Sequence, residues 1–502
     1  MSEKQEHVSV AQAARPKHPF AEPPAHWDYA PSLEDKSLAR IEARYRLFID
    51  GAWREGRKRF TTINPANEEV LAEVALAGPK DVDDAVAAAR RALPKWAGMP
   101  GAARAKLLFA VARILQERSR EFAVLETLDN GKPIREARDF DVVMAAQHFF
   151  YYAGWADKLD LALPAALGKP SPVGVCGQII PWNFPLLMAA WKLAPALAVG
   201  CTCVLKPAET TPLTALRLCE VFEEAGLPKG VVNVLTGAGK TGEAIVRHPD
   251  IDKIAFTGST EVGKAIQRAL AGSGKKLTLE LGGKAAHIVF EDAPLDEAVD
   301  GIVQGIWFNQ GQVCCAGSRL FVQESIERRV LDLLDARMRT IRVGDPLDKN
   351  TDLGALNSAE QRDKVERYLR VAAEEGATRR APAAKLPTKG YWCPPTLLEH
   401  VTPTMRVARE EIFGPVLAVL SFRTPEEAVQ KANNSLYGLS AGVWTNKGSK
   451  VFDTIAKLRA GVVWANCYNR FDASSPFGGY KESGFGREGG LHGLLPYLRL
   501  PS

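Results

Sequence analysis

The run Val173-Gly-Val-Cys-Gly-Gln-Ile-Ile180 decides the fold, together with CTCVLKP at 201–207, VVNVLTG at 231–237, DKIAFTG at 252–258 and KLTLELGG at 276–283. Each is a short β-branched stretch that stops at Gly or Pro, and helical segments lie between them. Strands alternating with helices predict βαβ units and a parallel sheet. Ligands of such sheets bind beyond the carboxyl ends of the strands. Those ends carry Asn183, Lys206, Gly237, Gly258 and Glu280, and such residues on successive strand ends point to a cleft. After Gly283 the alternation resumes with HIVFED, SRLFVQ and VLAVLSF, which predicts a second α/β domain. No internal repeat or low-complexity segment interrupts the pattern.

Toward the N-terminus, LFIDGAW within Tyr45–Lys58 predicts a hairpin turning at Asp50-Gly51. Amphipathic helices are expected over Asp81–Trp96 and, longer, over Arg104–Asn130, with a further helical stretch over Ile134–Asp157. Residues 1–40 read as a flexible tail, polar at first and without a basic segment leading into an apolar one.

Composition narrows the function class. Of 502 residues, 46% are hydrophobic and 25% charged, a globular balance that excludes a largely disordered chain. The length suggests about three domains, or two large ones. Lys+Arg at 64 against Asp+Glu at 59 leaves a scattered net charge of +5, too small for a nucleic-acid footprint. The 8 cysteines form no C-x-x-C pair and have no histidine cluster beside them, so neither structural zinc nor a disulfide framework is expected. That usage fits a reducing, cytoplasmic compartment.

Val173–Leu205 is apolar enough to suggest a membrane span. However, Pro181, Pro185 and Pro195 interrupt it and Lys192 sits in its middle, so a buried strand, turn and helix are expected instead. Lys192 then has two readings: a side chain that snorkels to water, or one held inside to handle protons.

Two glycine-rich strings are weak. Gly237-Ala-Gly-Lys-Thr-Gly242 matches G-x-G-x-x-G, but the acidic residue expected at the end of the next strand is missing, because that strand ends in Thr257-Gly258. Gly258-Ser-Thr-Glu-Val-Gly-Lys264 resembles a Walker A loop, yet Ala265 stands where a P-loop needs a hydroxyl for magnesium. What survives is a helix N-terminus able to face a phosphate.

The sharpest string is Phe308-Asn-Gln-Gly-Gln-Val-Cys314-Cys-Ala-Gly-Ser-Arg319, where glycines flank a cysteine pair as a helix gives way to a strand. A buried structural cysteine is the ordinary case. The Asn, Gln and Gly surroundings favour a reactive thiol. Glu280 leaves an apolar strand, where partial desolvation raises a carboxyl toward general-base range. Its plainer reading is an ion pair with Lys284.

With PWNFP at 181–185, KPAE at 206–209, FTGSTEVG at 256–263, LELGGK at 279–284, FNQGQVCCAGSR at 308–319, EEIFGP at 410–415 and SPFGGYKESGFGRE at 475–488, the chain resembles the NAD(P)-dependent aldehyde dehydrogenase superfamily. The motifs stand in that family's order, over roughly residues 40–490. FFYYAGWADKLD and FGREGG are similar, further, to its sixteenth family. The resemblance implies a Rossmann-like parallel-sheet NAD-binding domain (41–152 and 173–282) and a second α/β catalytic domain (283–480). It also implies a small, shortened oligomerisation element (153–172 and 481–502).

Carried over by position, the resemblance makes Cys314 the nucleophile. Its thiolate forms a thiohemiacetal whose oxyanion meets the Asn183 amide and the Cys314 N–H. Hydride leaves for the nicotinamide, and the thioester is hydrolysed by water that Glu280 activates. Lys192 and Glu488 resemble a buried proton-relay pair. Lys206 and Glu209 would meet the adenosine ribose, and a carboxylate there favours NAD over NADP. Trp182 and Ser259 would touch the pyrophosphate, with the Gly258–Gly263 turn behind it. Glu411 would hold the nicotinamide ribose and Phe413 would line its ring. No metal is required.

Phe184, Met188, Trp191, Val313, Phe471 and Phe477 match positions that shape the aldehyde tunnel, and Cys315 would stand in its wall. They suit uncharged aliphatic or aromatic aldehydes, although several could be plain core residues. The segment before Val173 and the tail after Glu488 are short and carry prolines, so a homodimer is expected rather than the family's tetramer. The other readings are an acylating dehydrogenase using coenzyme A, which Glu280 argues against, and a non-catalytic scaffold, against which Cys314, Glu280 and Asn183 all stand.

Overall fold

The five strands read from the sequence lie side by side in a computed structural model that describes residues 30–161, 169–383 and 385–499. They form the centre of an eight-stranded sheet. Its spatial order is Gly484–Phe485, Lys276–Glu280, Lys253–Thr257, Val175–Ile179, Thr202–Lys206, Val232–Val234, Leu47–Ile49 and Ala52–Arg54. The central strands run parallel, and antiparallel pairs close both edges. Val175–Ile179, Thr202–Lys206 and Lys253–Thr257 are buried at every residue, as expected of parallel strands covered by helices on both faces. Register sets Ile179 opposite Lys206 and Thr257 opposite Glu280, so the strand ends finish level with one another.

A seven-stranded sheet forms the second layer system, in the order Thr378–Arg380, Thr396–Glu399, Val416–Phe422, Arg319–Gln323, Ala286–Val289, Ser440–Trp444 and Val462–Ala465. Only the first of these is antiparallel to its neighbour. The sequence pattern exposed three of these strands, Ala286–Val289, Arg319–Gln323 and Val416–Phe422. It missed Ser440–Trp444, whose Ser, Ala and Gly carry little β-branched signal although every residue is buried.

The chain after Val175–Ile179 turns through Trp182-Asn183-Phe184 into the helix Pro185–Val199. All of its side chains are buried, Lys192 included. Among the described residues no helix is long and apolar enough to cross a membrane.

Several expectations need correction. The helix expected over Arg104–Asn130 is two, Gly101–Glu117 and Ser119–Asn130, parted at Arg118 where φ is −93 and ψ is 15. There the Arg118 guanidinium gathers Glu121 at 2.8 Å and Glu220 at 2.9 Å. The stretch after Ile134 contains a π-helical turn at Ala137–Asp141, and the helix that follows stops at Ala153. Of the tail expected over 1–40, residues 1–29 lie outside the described residues, whereas 30–40 are docked. Lys36–Ala39 form a 3-10 turn, and Glu34 pairs with Arg120 at 2.5 Å.

Parts of the expected oligomerisation element, 162–168 and 500–502, also lie outside the described residues. Of the remainder, Gly484–Phe485 extends the first sheet, and Leu498–Arg499 pairs with Ser171–Pro172 of the same chain.

Candidate active site

A cleft of ≈ 270 Å³ opens where the strand ends of the first sheet meet the loop leading into Arg319–Gln323. Asn183, Glu280, Cys314 and Glu488 all line it. Lys192 joins them at one remove, as the ion-pair partner of Glu488. Its snorkelling alternative is excluded, since the side chain is fully buried.

The loop carrying Cys314 is bent by Asn309 and Gln310, both left-handed with φ of 46 and 55. Non-glycine residues hold that geometry only where their surroundings fix it. Here the Asn309 side chain donates to the Asn183 carbonyl at 2.9 Å, and Gln310 donates to the Ala355 carbonyl at 3.1 Å. The Cys315 carbonyl accepts from the Tyr468 hydroxyl at 2.8 Å and the Ser440 hydroxyl at 3.1 Å. Gly283 is required beneath this loop, because a Cβ there would stand 2.2 Å from the Cys314 carbonyl oxygen.

Asn183 donates one amide hydrogen to the Gln312 carbonyl at 2.9 Å, and its amide has a second hydrogen to give. Neither oxygen of Glu280 has a hydrogen-bond partner, and the residue is only 5% exposed. Burial first, then the charge of Glu488, holds its carboxyl well above the usual range. The expected ion pair with Lys284 is not made. The Lys284 amine has no hydrogen-bond partner and is pushed down to about 7, by burial and then by Arg319. The Cys314 thiol is pushed up, by the neighbouring Cys315 thiol first and then by burial.

The other half of the cleft is suited to a dinucleotide. Ser259 caps the helix Thr260–Leu270, its hydroxyl accepting from the Val262 N–H at 3.3 Å, and Gly258 and Ser259 both face the cleft. Such a helix start favours phosphate. Glu411 accepts from the Gly283 N–H at 2.9 Å. Phe413, left-handed at φ 62, sets its ring edge-on to Trp182 with 5.3 Å between centroids.

Of the residues assigned to the cofactor, Lys206, Glu209 and Gly263 do not line this cleft. Lys206 is buried at its strand end, 3.7 Å from the half-exposed carboxylate of Glu209. Gly263 is a packing position, since a Cβ there would stand 2.5 Å from Leu281. The two glycine-rich strings are likewise occupied by the fold. Thr241 donates to the Ala77 carbonyl at 2.8 Å, and Lys264 pairs with Glu482 at 2.8 Å.

Phe184, Met188, Trp191, Val313, Cys315, Phe471 and Phe477 all line the cleft. Sequence reasoning missed Phe140, Gln361 and Lys364, which line it too. Gln361 donates to the Phe413 carbonyl at 2.6 Å and so helps to hold that residue's unusual backbone. It comes from an otherwise ordinary amphipathic helix, Ala359–Glu374, which carried no motif.

Known proteins resemble this chain over most of its length. The model of the aldehyde dehydrogenase family matches residues 53–502. The chain is 46% identical to the mitochondrial aldehyde dehydrogenase of Homo sapiens, over 91% of this chain and 90% of that protein. It is 44% identical to the mitochondrial benzaldehyde dehydrogenase of Antirrhinum majus, over 94% and 91% of the two. An NAD+ complex of an aldehyde dehydrogenase from Bacillus cereus superposes with a TM-score of 0.90 at 45% identity, covering 94% of this chain and 98% of that one. The chain belongs to the aldehyde dehydrogenase family, and is an oxidoreductase that acts on aldehydes.

Proposed function

We propose that the protein oxidises an aldehyde to a carboxylic acid with NAD, by way of a thiohemiacetal and a thioester on Cys314. The observation that carries this reading is the meeting of Cys314, Glu280 and Asn183 on one cleft, whose other half is formed by Ser259, Glu411 and Phe413. The Cys314 thiolate adds to the carbonyl carbon, and the oxyanion accepts from the second Asn183 amide hydrogen and the Cys314 N–H. Bound NAD supplies the hydride acceptor that this chemistry requires. Glu280, once ionised, takes a proton from the water that attacks the thioester. The Lys192–Glu488 pair, beside it and out of solvent, passes that proton onward.

The cofactor is held by the Ser259 helix start and Gly258, by Trp182 against the pyrophosphate, by Glu411 on the nicotinamide ribose and by Phe413 along its ring. Lys206 and Glu209 serve the adenosine ribose from the neighbouring strand end. The Glu209 carboxylate selects NAD over NADP. Domains at 41–152 with 173–282 and at 283–480 divide these tasks. The same reading takes the protein as cytoplasmic, which its free cysteines support, and as a homodimer.

The test is NADH formation with short aliphatic and aromatic aldehydes, run with NAD and NADP and beside Cys314→Ala. Turnover with NAD that vanishes in the variant is expected. Acid formation that survives in the variant would remove Cys314 from the role of nucleophile.

A further inference from the structure

The thiol loop is anchored from outside the cleft as well as from within it. The helix Leu295–Ile306 runs through Trp307 into the left-handed residue Asn309. In a continuing helix the Asn309 N–H would donate to the Gly305 carbonyl, four residues back. Here that carbonyl is occupied, since it accepts from the Gly317 N–H, just beyond Cys314, at 2.9 Å. Asn309 is fully buried, so its N–H needs another acceptor inside the protein. The Glu136 carboxylate supplies it at 2.9 Å, from a turn 173 positions earlier in the chain.

Asn309 is a node of the site. Its side-chain amide donates to the Asn183 carbonyl at 2.9 Å and to the Gln312 carbonyl at 3.3 Å. Its own carbonyl accepts from the Gln312 N–H at 2.9 Å. The place of Asn309 therefore sets the Asn183 turn against the loop that carries Cys314. Glu136 does not line the cleft. It lines two outer chambers, of ≈ 400 and ≈ 740 Å³, together with Phe308. The cations that bear on it are engaged elsewhere, Lys132 by Asp141 at 2.5 Å and Arg135 by Asp352 at 2.5 Å.

We propose that Glu136 is a positioning residue for the reaction, whose carboxylate, by taking the Asn309 N–H, aligns the Cys314 loop with the Asn183 amide. The proposal rests on the functional reading above, in which those two groups meet one carbonyl. The role needs an accepting oxygen at the reach of a glutamate side chain, not a charge. Glutamine keeps that oxygen and that reach. Aspartate keeps the charge but falls short, and leucine keeps only the bulk. Without the bond a buried donor is left unpaired, and the loop shifts to satisfy it. A shift of about 1 Å between reacting groups costs up to about 10²-fold in rate.

The experiment follows NADH formation in the first turnover by stopped flow, with hexanal and saturating NAD. It compares the wild type with Glu136→Gln, Glu136→Asp and Glu136→Leu, and thermal unfolding is measured for each. The first-turnover rate constant is expected to fall about 10- to 100-fold in Glu136→Asp and Glu136→Leu, and to stay within about threefold of wild type in Glu136→Gln. KM for hexanal should change little in any of them. A merely structural role moves other quantities: it lowers the melting temperature and the amplitude of NADH formed, and leaves the rate constant of the surviving enzyme where it was. If Glu136→Leu does not fold, the aspartate and glutamine variants decide. Equal rate constants in those two, with an active wild type, overturn the proposal and leave the functional reading standing. A folded wild type that forms no NADH from hexanal or benzaldehyde overturns both.

Discussion

The side-chain amide of Asn183 donates to the Gln312 carbonyl at 2.9 Å, so the turn that carries Asn183 and the loop that carries Cys314 are fastened together. One hydrogen bond thereby fixes the two groups that approach the same carbonyl in the proposed mechanism. Asn183→Ala should lower kcat by about 10²–10³ with a small effect on KM for the aldehyde, the signature of a donor used in the transition state. Steady-state kinetics with a good aldehyde check this, and an equal loss in KM alone would argue for a binding role instead.

Glu280 supplies a pH signature. Its carboxyl is held above the usual range by burial and by Glu488, and only the ionised form can accept a proton from water. Activity limited by deacylation should therefore rise with pH, over a window lying above ordinary carboxylate titration. Glu488→Gln removes one source of the upward push and leaves Lys192 charged beside Glu280, so that rise should move to lower pH. Glu280→Gln should still release a first equivalent of NADH and then slow by about 10²–10⁴. Stopped-flow absorbance and pH–rate profiles measure all three.

Lys192 and Glu488 form an ion pair that is nearly out of reach of water. Removing one partner strands the other charge, so Lys192→Met should cost about 3–5 kcal/mol of stability. The combined change Lys192→Met with Glu488→Leu should be less harmful than Lys192→Met alone. Denaturant unfolding of the three proteins decides it.

His287 is buried, accepts from the Trp444 indole N–H at 2.7 Å, and is pushed down to about 3 by burial. The unfolded chain protonates this ring near its ordinary value of about 6.5, while the folded chain does not. Its contribution is therefore complete above that value, and is lost as pH falls from there toward the folded value. The slope is up to about 1.4 kcal/mol per pH unit. His287→Gln should flatten acid unfolding over that interval, as followed by far-UV circular dichroism.

The parts of the site that follow a local rule were legible in the sequence. Glu280, Lys206 and Gly258 stand at strand ends, and strand ends are visible as β-branched runs that stop at glycine or proline. Cys314 stood out because polar residues and glycines surround it. The rest depends on contacts between distant segments. Phe140 reaches the cleft through a single π turn, which leaves no mark on a helical pattern. Gln361 works through a backbone carbonyl more than fifty positions away. Gly263 looked like part of a phosphate turn, yet the bulk of Leu281 accounts for it. At the break, Arg118 joins Glu121 three residues on to Glu220 of a distant helix, a pairing that periodicity within one window cannot register.

The pairing of Gly484–Phe485 with the strand that ends in Glu280 has a consequence for the order in which the protein is made. A chain leaving the ribosome has exposed its thiol loop and its carboxylate strand long before their flanking edge exists. Domains generally form N-terminal first during synthesis, but here residues made long after that strand supply both its outer neighbour and Glu488. The thiol loop is thus made before the strand and the carboxylate that flank its neighbour, and a chain cut before Gly484 would carry Cys314 without either.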